Sequence, residues 1–159
     1  DYYVKKTKKT AIRTDKFFKR MIYQNDSKIV NENKSEETSW YILGKVDGLY
    51  FSEDNPEENT VIEIKNRVYR YFYELREYEK IQTYCYMFIL GYKKAHLVES
   101  LKNMKCDINI INVEFDDEYW EEMHIGIITF INYFQDVFMK DEELREELIL
   151  DEENFVVNL

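Results

Sequence analysis

Hydrophobic and polar residues alternate along two neighbouring runs of the chain, as they do in half-buried β-strands. The first run covers residues 41–51 (YILGKVDGLYF) and the second covers residues 60–67 (TVIEIKNR). Residues 52–59 (SEDNPEEN) lie between them, are rich in turn-forming residues and include the only proline. A period of two residues predicts strands, and the short polar connection predicts that the strands form a hairpin.

Side chains in the second run should alternate between the two faces of the predicted sheet. Glu63 and Lys65 are two residues apart, so they should project from the same face. Buried β-forming residues should surround them, namely Val61, Ile62 and Ile64. An antiparallel pairing with Asp47 opposite Glu63 would bring two carboxylates and one ammonium together. Such a group is costly to remove from water unless the charges pair or a ligand binds, so the pattern indicates a divalent-cation site.

The segment before this hairpin predicts little regular structure. A short helix is expected over residues 15–23, with Thr14 as its N-cap and an apolar side formed by Phe17, Phe18, Met21 and Ile22. Residues 24–39 are polar, and only residues 28–30 offer a strand fragment.

The segment after the hairpin predicts an alternation of helices and strands. A helix over residues 77–90 should end at Gly91, and strands are expected over residues 95–101 and 108–115. A long amphipathic helix should then cover residues 118–139, capped by Asp116 or Asp117. The order strand, strand, helix, strand, strand, helix predicts an α/β protein.

Composition fits a single domain over residues 1–159, with a core at about 40–139 and an acidic C-terminal segment at 140–159. A hydrophobic content of 45% can form one core, and no hydrophobic run is long enough to predict a membrane span. The two cysteines, Cys85 and Cys106, are too few for a disulfide framework, a zinc quartet or a four-cysteine iron–sulfur cluster. They favour a reducing, intracellular location, with cytoplasm and nucleus both open.

The net charge of −10 is distributed unevenly. Residues 1–35 carry +6, residues 36–115 carry −4, and residues 116–159 carry −12. The basic run at residues 5–9 (KKTKK) could contact nucleic-acid phosphates or could simply be a solvated terminus. The acidic segment would repel nucleic acid, and its hydrophobic residues predict a short amphipathic helix that could dock on a protein partner: Leu144, Leu148, Ile149 and Leu150.

The order of these motifs resembles the PD-(D/E)XK nuclease superfamily. Asp47 lies within GKVDG, Glu63 and Lys65 form the Glu-x-Lys of VIEIKNR, and Gln82 and Tyr86 form a Gln-x-x-x-Tyr on the following helix. These sequence motifs are similar to those of the RecB, YqaJ and lambda-exonuclease branch. The resemblance covers residues 40–119. The resemblance implies a restriction-endonuclease-like core, in which helices flank a central mixed β-sheet. Gln82 and Tyr86 are four residues apart, so both should lie on one face of the predicted helix.

The resemblance also implies roles for the site residues. Asp47, Glu63 and the backbone carbonyl of Ile64 would hold Mg²⁺, which prefers oxygen ligands, with Mn²⁺ able to substitute. Lys65 would orient the attacking water and offset charge on the phosphate, while Gln82 would position the phosphate or a water and Tyr86 would pack behind it or bind DNA.

Relatives of this kind often complete the metal shell with a Glu or His from an N-terminal helix. No residue here matches that role clearly. Glu32, Glu36 and Glu37 lie in a polar stretch, and a ligand upstream of Asp1 is the open alternative.

Two further groups of residues have both a packing and a functional interpretation. The tyrosines of residues 66–80 could stack on bases beside Arg67, Arg70 and Arg76, or pack within the protein. The lone histidines, His96 and His124, are better explained as packing or surface residues than as ligands.

The leading hypothesis is a Mg²⁺-dependent DNA nuclease, an exonuclease acting in recombination, repair or replication. The Asn-, Lys-, Ile- and Tyr-rich composition agrees with an AT-rich genome and with a viral or phage source. The alternatives are a non-catalytic protein with this fold that binds a partner through its acidic segment, and an RNA endonuclease. Polarity, sequence preference and homo-oligomer formation stay open.

Overall fold

The computed structural model describes residues 2–25, 38–102 and 107–150, without the side chains of residues 25 and 147–150. The chain divides into two compact units, Asp1–Phe115 and Asp116–Leu159. Each unit is described by itself below. In the described residues, no helix is both long and apolar enough to cross a membrane.

A five-stranded mixed sheet forms the centre of the first unit. Its strands are β1 (Ile12–Arg13), β4 (Gly48–Tyr50), β5 (Thr60–Arg67), β6 (Lys94–Leu101) and β7 (Ile108–Glu114), in the spatial order β1-β4-β5-β6-β7. Only β5 and β6 pair in parallel, and the other neighbours are antiparallel. The parallel pair is connected by α2 (Glu77–Leu90), because parallel neighbours need a long crossover.

Helices lie on both faces of this sheet. The first face carries Ile62 and Val98, which pack with Tyr3 of α1 (Tyr2–Thr7). The other face carries Glu63, Lys65 and Arg67 and lies against α2. The strands between these layers hold the most buried hydrophobic residues, among them Val61, Ile62, Ala95 and Leu97. The α/β order predicted from the sequence is confirmed.

The predicted hairpin connection is also confirmed. β4 and β5 pair antiparallel, with Gly48 opposite Ile62. The loop contains one turn of 3₁₀ helix at Pro56–Glu58, whose first free amide is bonded by the side chain of Asn55. Proline suits this position because its fixed φ is compatible with a helix start.

A second, two-stranded sheet lies next to α2, and it corrects the predicted helix over residues 15–23. This segment is instead β2 (Phe17–Asn25), paired antiparallel with β3 (Thr38–Lys45). Its hydrophobic spacing fits a helix, but the ladder with β3 determines the structure, and Arg20 donates from β2 to the carbonyl of Phe88. The predicted strand fragment at residues 28–30 lies outside the described residues.

The expectation of one strand over residues 41–51 is wrong in its extent. β3 ends at Lys45 and β4 begins at Gly48, so the run contributes to two different sheets. Val46 is buried at the break, and Asp47 is exposed. Ile64, expected to be buried, is 44% exposed, because it points to the sheet face opposite Glu63.

The predictions for the elements after the hairpin are confirmed within one or two residues at most boundaries. α2 ends at Gly91, which adopts φ = 70°, and this conformation favours glycine. β6 and β7 occupy the two predicted strands.

Part of the basic N-terminal segment is used inside the first unit. Lys6 forms an ion pair with Asp107, and Lys9 forms one with Glu58 and a hydrogen bond with Thr60. These two lysines therefore hold α1 and the following loop against the sheet, and they are less free for phosphate contacts than the sequence suggested.

The second unit is helical. α3 (Asp117–Tyr133) begins at Asp116, whose carboxylate accepts from the amides of Glu118 and Tyr119. A π-helical segment follows at Phe134–Phe138, so the predicted helix over residues 118–139 is regular α-helix only in its first part. α4 (Glu142–Leu150) is the predicted acidic helix.

Partly buried His96 predicts an acid-sensitive fold. Burial, together with the nearby Lys9 charge, lowers the pKa of His96 from 6.5 to about 4, and its Nδ1 lies 2.7 Å from the Tyr3 hydroxyl. The unfolded chain therefore binds this proton more tightly, so stability should fall as pH decreases from 6.5 to 4, by up to about 3 kcal/mol. An NMR titration of the His96 ring should show an apparent pKa far below 6.5, and a value near 6.5 would contradict the prediction.

Candidate active site

The hairpin places the two predicted carboxylates side by side. Gly48 is opposite Ile62, so the next position in the same register puts Asp47 opposite Glu63. Asp47 Oδ2 accepts a hydrogen bond of 2.8 Å from the amide of Ile64. This bond fixes the Asp47 side chain against β5 at the point where the β4 ladder ends.

Glu63 is a buried carboxylate that lacks part of its hydrogen bonding. Its side chain is 7% exposed, and among the described residues Oε2 has no partner. Burial has the largest effect on the pKa of Glu63 and raises it. The hydrogen bond from Lys65 lowers this pKa, and the negative charge of Asp47 raises it further. The pKa of Glu63 is raised as a result. A buried, unpaired carboxylate oxygen is unusual, because it loses hydration without compensation.

Lys65 connects Glu63 to the helix. Its Nζ donates to Glu63 Oε1 at 2.9 Å and to Gln82 Oε1 at 2.7 Å. Gln82 in turn donates through Nε2 to the Tyr86 hydroxyl at 2.9 Å. A continuous chain of hydrogen bonds therefore runs from Glu63 through Lys65 and Gln82 to Tyr86. The structure therefore brings these four predicted residues together. In it, Gln82 accepts a hydrogen bond from the ammonium of Lys65 and holds it in place.

Gly44 sets the position of Tyr86. A Cβ atom on Gly44 would lie only 2.5 Å from Cε1 of the Tyr86 ring. β3 can therefore approach α2 closely only because residue 44 lacks a side chain. Burial raises the pKa of Tyr86, so its hydroxyl stays protonated and accepts from Gln82 as a neutral group.

The donor set suits a hard divalent cation. The carboxylates of Asp47 and Glu63 and the carbonyl of Ile64 are all oxygen donors, and Mg²⁺ is commonly bound through one or two carboxylates with water completing the shell. Unpaired Glu63 Oε2 is the donor that such an ion would satisfy. Within the described ranges, no cluster of three or more acidic, His or Cys side chains occurs that could hold a metal. The earlier candidates Glu32, Glu36 and Glu37 lie outside these ranges.

A buried ion-pair network lies directly beyond Lys65, and the sequence did not predict it. Arg67 donates twice to Glu79, at 2.7 and 3.0 Å, and once to Glu99 at 2.8 Å. Glu99 also accepts from the amides of Phe72 and Tyr73. Arg67 is thus committed to structure rather than free to contact nucleic acid. The only sequence signal was its position two residues after Lys65, on the same strand face.

The raised pKa of Glu63 should make the thermal stability of the protein depend on pH. Because the folded state holds the Glu63 proton more tightly than the unfolded chain, ionisation of Glu63 lowers the free energy of unfolding as pH rises above 4.5. Without divalent cation, Glu63→Gln should therefore unfold at a higher temperature than the wild type at pH 7, and the difference should vanish below pH 4.5. Thermal unfolding at both pH values measures this.

Glu58→Gln is the matched control, because hydrogen bonds from Lys94 and Lys9 lower the pKa of Glu58. Its effect on stability at pH 7 should have the opposite sign. Added Mg²⁺ at 100 times its dissociation constant should stabilise the wild type by about 2.7 kcal/mol and leave Glu63→Gln almost unchanged. Equal stabilisation of both proteins would place the cation elsewhere.

The fold can be compared with known proteins. No family model and no curated protein matches the sequence. The crystal structure of an alkaline exonuclease (LHK-Exo) from Laribacter hongkongensis matches with a TM-score of 0.56 and 14% identity, over 93% of this chain and 67% of that chain. The crystal structure of SSO0001 matches with a TM-score of 0.48 and 17% identity, over 82% of this chain and 54% of that chain, so this chain spans about half its length.

The likeness to the alkaline exonuclease concerns architecture, since 14% identity carries no residue-level argument. It agrees with the mixed sheet and its flanking helices. This chain therefore has the restriction-endonuclease-like fold that its sequence motifs implied.

Proposed function

We propose that this protein is a metal-dependent nuclease that hydrolyses phosphodiester bonds in DNA. The observation that carries the proposal is the buried, unpaired Oε2 of Glu63 beside Asp47, with the ammonium of Lys65 held 2.9 Å from the other Glu63 oxygen. Two carboxylates and one lysine at a strand edge can bind a hard cation and a phosphate together. The fold shared with an alkaline exonuclease supports the same chemistry.

Some site residues would bind the cation, and Lys65 would stabilise the phosphate during the reaction. A bound Mg²⁺ would lower the pKa of a water molecule and polarise the phosphate. Asp47, Glu63 and the Ile64 carbonyl would hold the ion. Lys65 would donate to the phosphate oxygens as negative charge develops on them, which is the type of interaction that accelerates a reaction most.

Gln82 and Tyr86 would act on Lys65 rather than on the substrate. The Gln82 carbonyl fixes the ammonium, and the Tyr86 hydroxyl fixes the Gln82 amide. This arrangement reduces the freedom of a long lysine side chain, so less order has to be imposed during the reaction.

We further propose that the enzyme belongs to the RecB, YqaJ and lambda-exonuclease branch and degrades DNA from its ends in recombination, repair or replication. The Gln-x-x-x-Tyr motif on α2 supports this finer assignment. The test is incubation with end-labelled linear DNA, circular DNA and RNA, in Mg²⁺ or Mn²⁺ and then with chelator. An exonuclease should shorten linear DNA progressively and leave closed circles intact, whereas cutting of circles or of RNA alone would contradict the assignment.

A further inference from the structure

Three arginines converge on one phenylalanine at the end of β5. Their guanidinium carbons lie 4.5 Å (Arg67), 5.5 Å (Arg70) and 3.5 Å (Arg76) from the centroid of the Phe72 ring. We call this group the arginine cluster. Cations stack on aromatic faces favourably, but three like charges this close repel one another unless anions neutralise them.

Within the described part of the chain, carboxylates neutralise only one of these three charges. Glu79 and Glu99 pair with Arg67. Across residues 2–25, 38–102 and 107–150, neither Arg70 nor Arg76 forms an ion pair with a carboxylate; Arg76 instead donates to the hydroxyl of Tyr78 at 2.9 Å. The cluster therefore presents two cations for an external anion.

An exposed aromatic side chain lies beside the arginine cluster, in a surface groove that both help to line. Arg70, Phe72 and Arg76 line a cavity of about 440 Å³ together with Tyr69, whose side chain is 94% exposed. A tyrosine with both ring faces open to solvent loses the usual benefit of burial. Aromatic rings beside basic residues are the features by which proteins bind single-stranded nucleic acid without sequence preference.

The ion-pair network also forms hydrogen bonds with the loop beside the groove. Glu99 accepts from the amides of Phe72 and Tyr73, and Tyr73 adopts φ = 64°, which is unfavourable for a residue with a bulky side chain. Buried hydrogen bonds thus maintain a strained loop in one conformation. Such strain is typical of segments shaped for a ligand.

The groove lies at the end of the strand that carries Glu63 and Lys65. Arg67 is two residues beyond Lys65 on the same face of β5, which corresponds to about 7 Å along the strand. Tyr78 is one helical turn before Gln82 on the same side of α2. A nucleic-acid strand carries one phosphate per about 3.4 Å of helix axis, so a strand bound at Lys65 would reach the cluster within a few nucleotides.

We propose that this groove binds an unpaired DNA strand next to the bond that is cleaved, with phosphates at Arg70 and Arg76 and a base stacked on Tyr69. The inference rests on the proposed function and names its substrate class as a strand with a single-stranded segment. The two unneutralised guanidiniums provide the charge complementarity, and the groove offers an open aromatic face for a base.

The test is fluorescence anisotropy with a labelled oligothymidine in chelator, where cleavage cannot occur, over a range of salt concentrations. Arg70→Gln and Arg76→Gln should each reduce the slope of log affinity against log salt by about 0.7, because each removes one phosphate contact to a single strand. Lys140→Gln is the charge-matched control, since Lys140 pairs with Asp136 in the second unit, and it should leave the slope unchanged.

Stacking is tested separately. Tyr69→Ala should weaken binding about 5- to 150-fold, and Tyr69→Phe should retain most of it. Neither change should matter for an abasic oligonucleotide of the same length. Tyr41→Ala removes a half-exposed tyrosine of the two-stranded sheet and serves as the matched control. Thermal unfolding checks that each variant is folded, and Arg70 and Tyr69 are exposed, so these two variants should fold normally.

The outcomes separate this inference from the proposed function. If the wild type does not bind the oligonucleotide, or if the variants bind it with unchanged slope and affinity, the inference is overturned even when the enzyme cleaves DNA. If binding depends on Arg70, Arg76 and Tyr69 but no cleavage occurs with any metal, the groove is upheld as a single-strand site and the nuclease assignment fails.

Discussion

Lys65→Ala should reduce the rate of DNA cleavage about 100- to 1000-fold while changing DNA affinity little, because the lost charge acts mainly in the transition state. The ammonium of Lys65 is fixed by its hydrogen bonds to Glu63 and Gln82. Single-turnover cleavage and a separate binding titration in chelator measure the two effects.

Lys94→Ala is the matched control, since Lys94 also pairs with a glutamate, Glu58, but at the start of the β5–β6 ladder. It should cleave DNA at the wild-type rate. Gln82→Ala should give an intermediate loss, because Lys65 would keep Glu63 and lose its second acceptor. If Lys65→Ala and Lys94→Ala lose the same activity, the assigned role of Lys65 is wrong.

Arg67→Ala should lower the free energy of unfolding by about 3–5 kcal/mol, because it leaves the carboxylates of Glu79 and Glu99 buried without their cation. Arg70→Ala, at an exposed position three residues from Arg67, should change stability by about 0.5 kcal/mol or less. Chemical denaturation of both variants measures the difference.

The network should also contribute to acid unfolding. Burial tends to raise the pKa of Glu99, but hydrogen bonds from Asn109, Phe72 and Arg67 outweigh it and lower the pKa below 4.5. Glu79 behaves in the same way through its bonds with Arg67. Stability from these groups is complete above pH 4.5 and is lost as pH falls through their lowered pKa values. In Arg67→Ala this acid loss should be smaller, and an unchanged pH profile would contradict the account.

The sequence predicted those parts of the site that depend on residues close together in the chain. Strand alternation placed Glu63 and Lys65 on one face, and helical spacing placed Gln82 and Tyr86 on one side of α2. The end of α2 followed from Gly91, which provides the left-handed conformation that terminates the helix.

Long-range pairing explains what the sequence did not predict. The hydrophobic spacing of Phe17, Phe18 and Met21 fits a helix, and only the ladder with Thr38–Lys45 makes this segment a strand. The break at Val46 contains no proline, and the nearby Gly44 and Gly48 both lie within strands. The contacts of Arg67 with Glu79 and Glu99 span 12 and 32 residues, and no local pattern connects them.

Asp47→Asn tests whether this site binds the catalytic cation, because it changes one carboxylate of the candidate cation site while retaining an oxygen that can accept from the Ile64 amide. The measurement is the single-turnover cleavage rate of end-labelled linear DNA as a function of Mg²⁺ concentration. We expect cleavage by the wild type that chelator abolishes, and little or no cleavage by Asp47→Asn even at high Mg²⁺. Wild-type protein that cleaves no nucleic acid with any divalent cation, or a variant that cleaves at the wild-type rate, would contradict it.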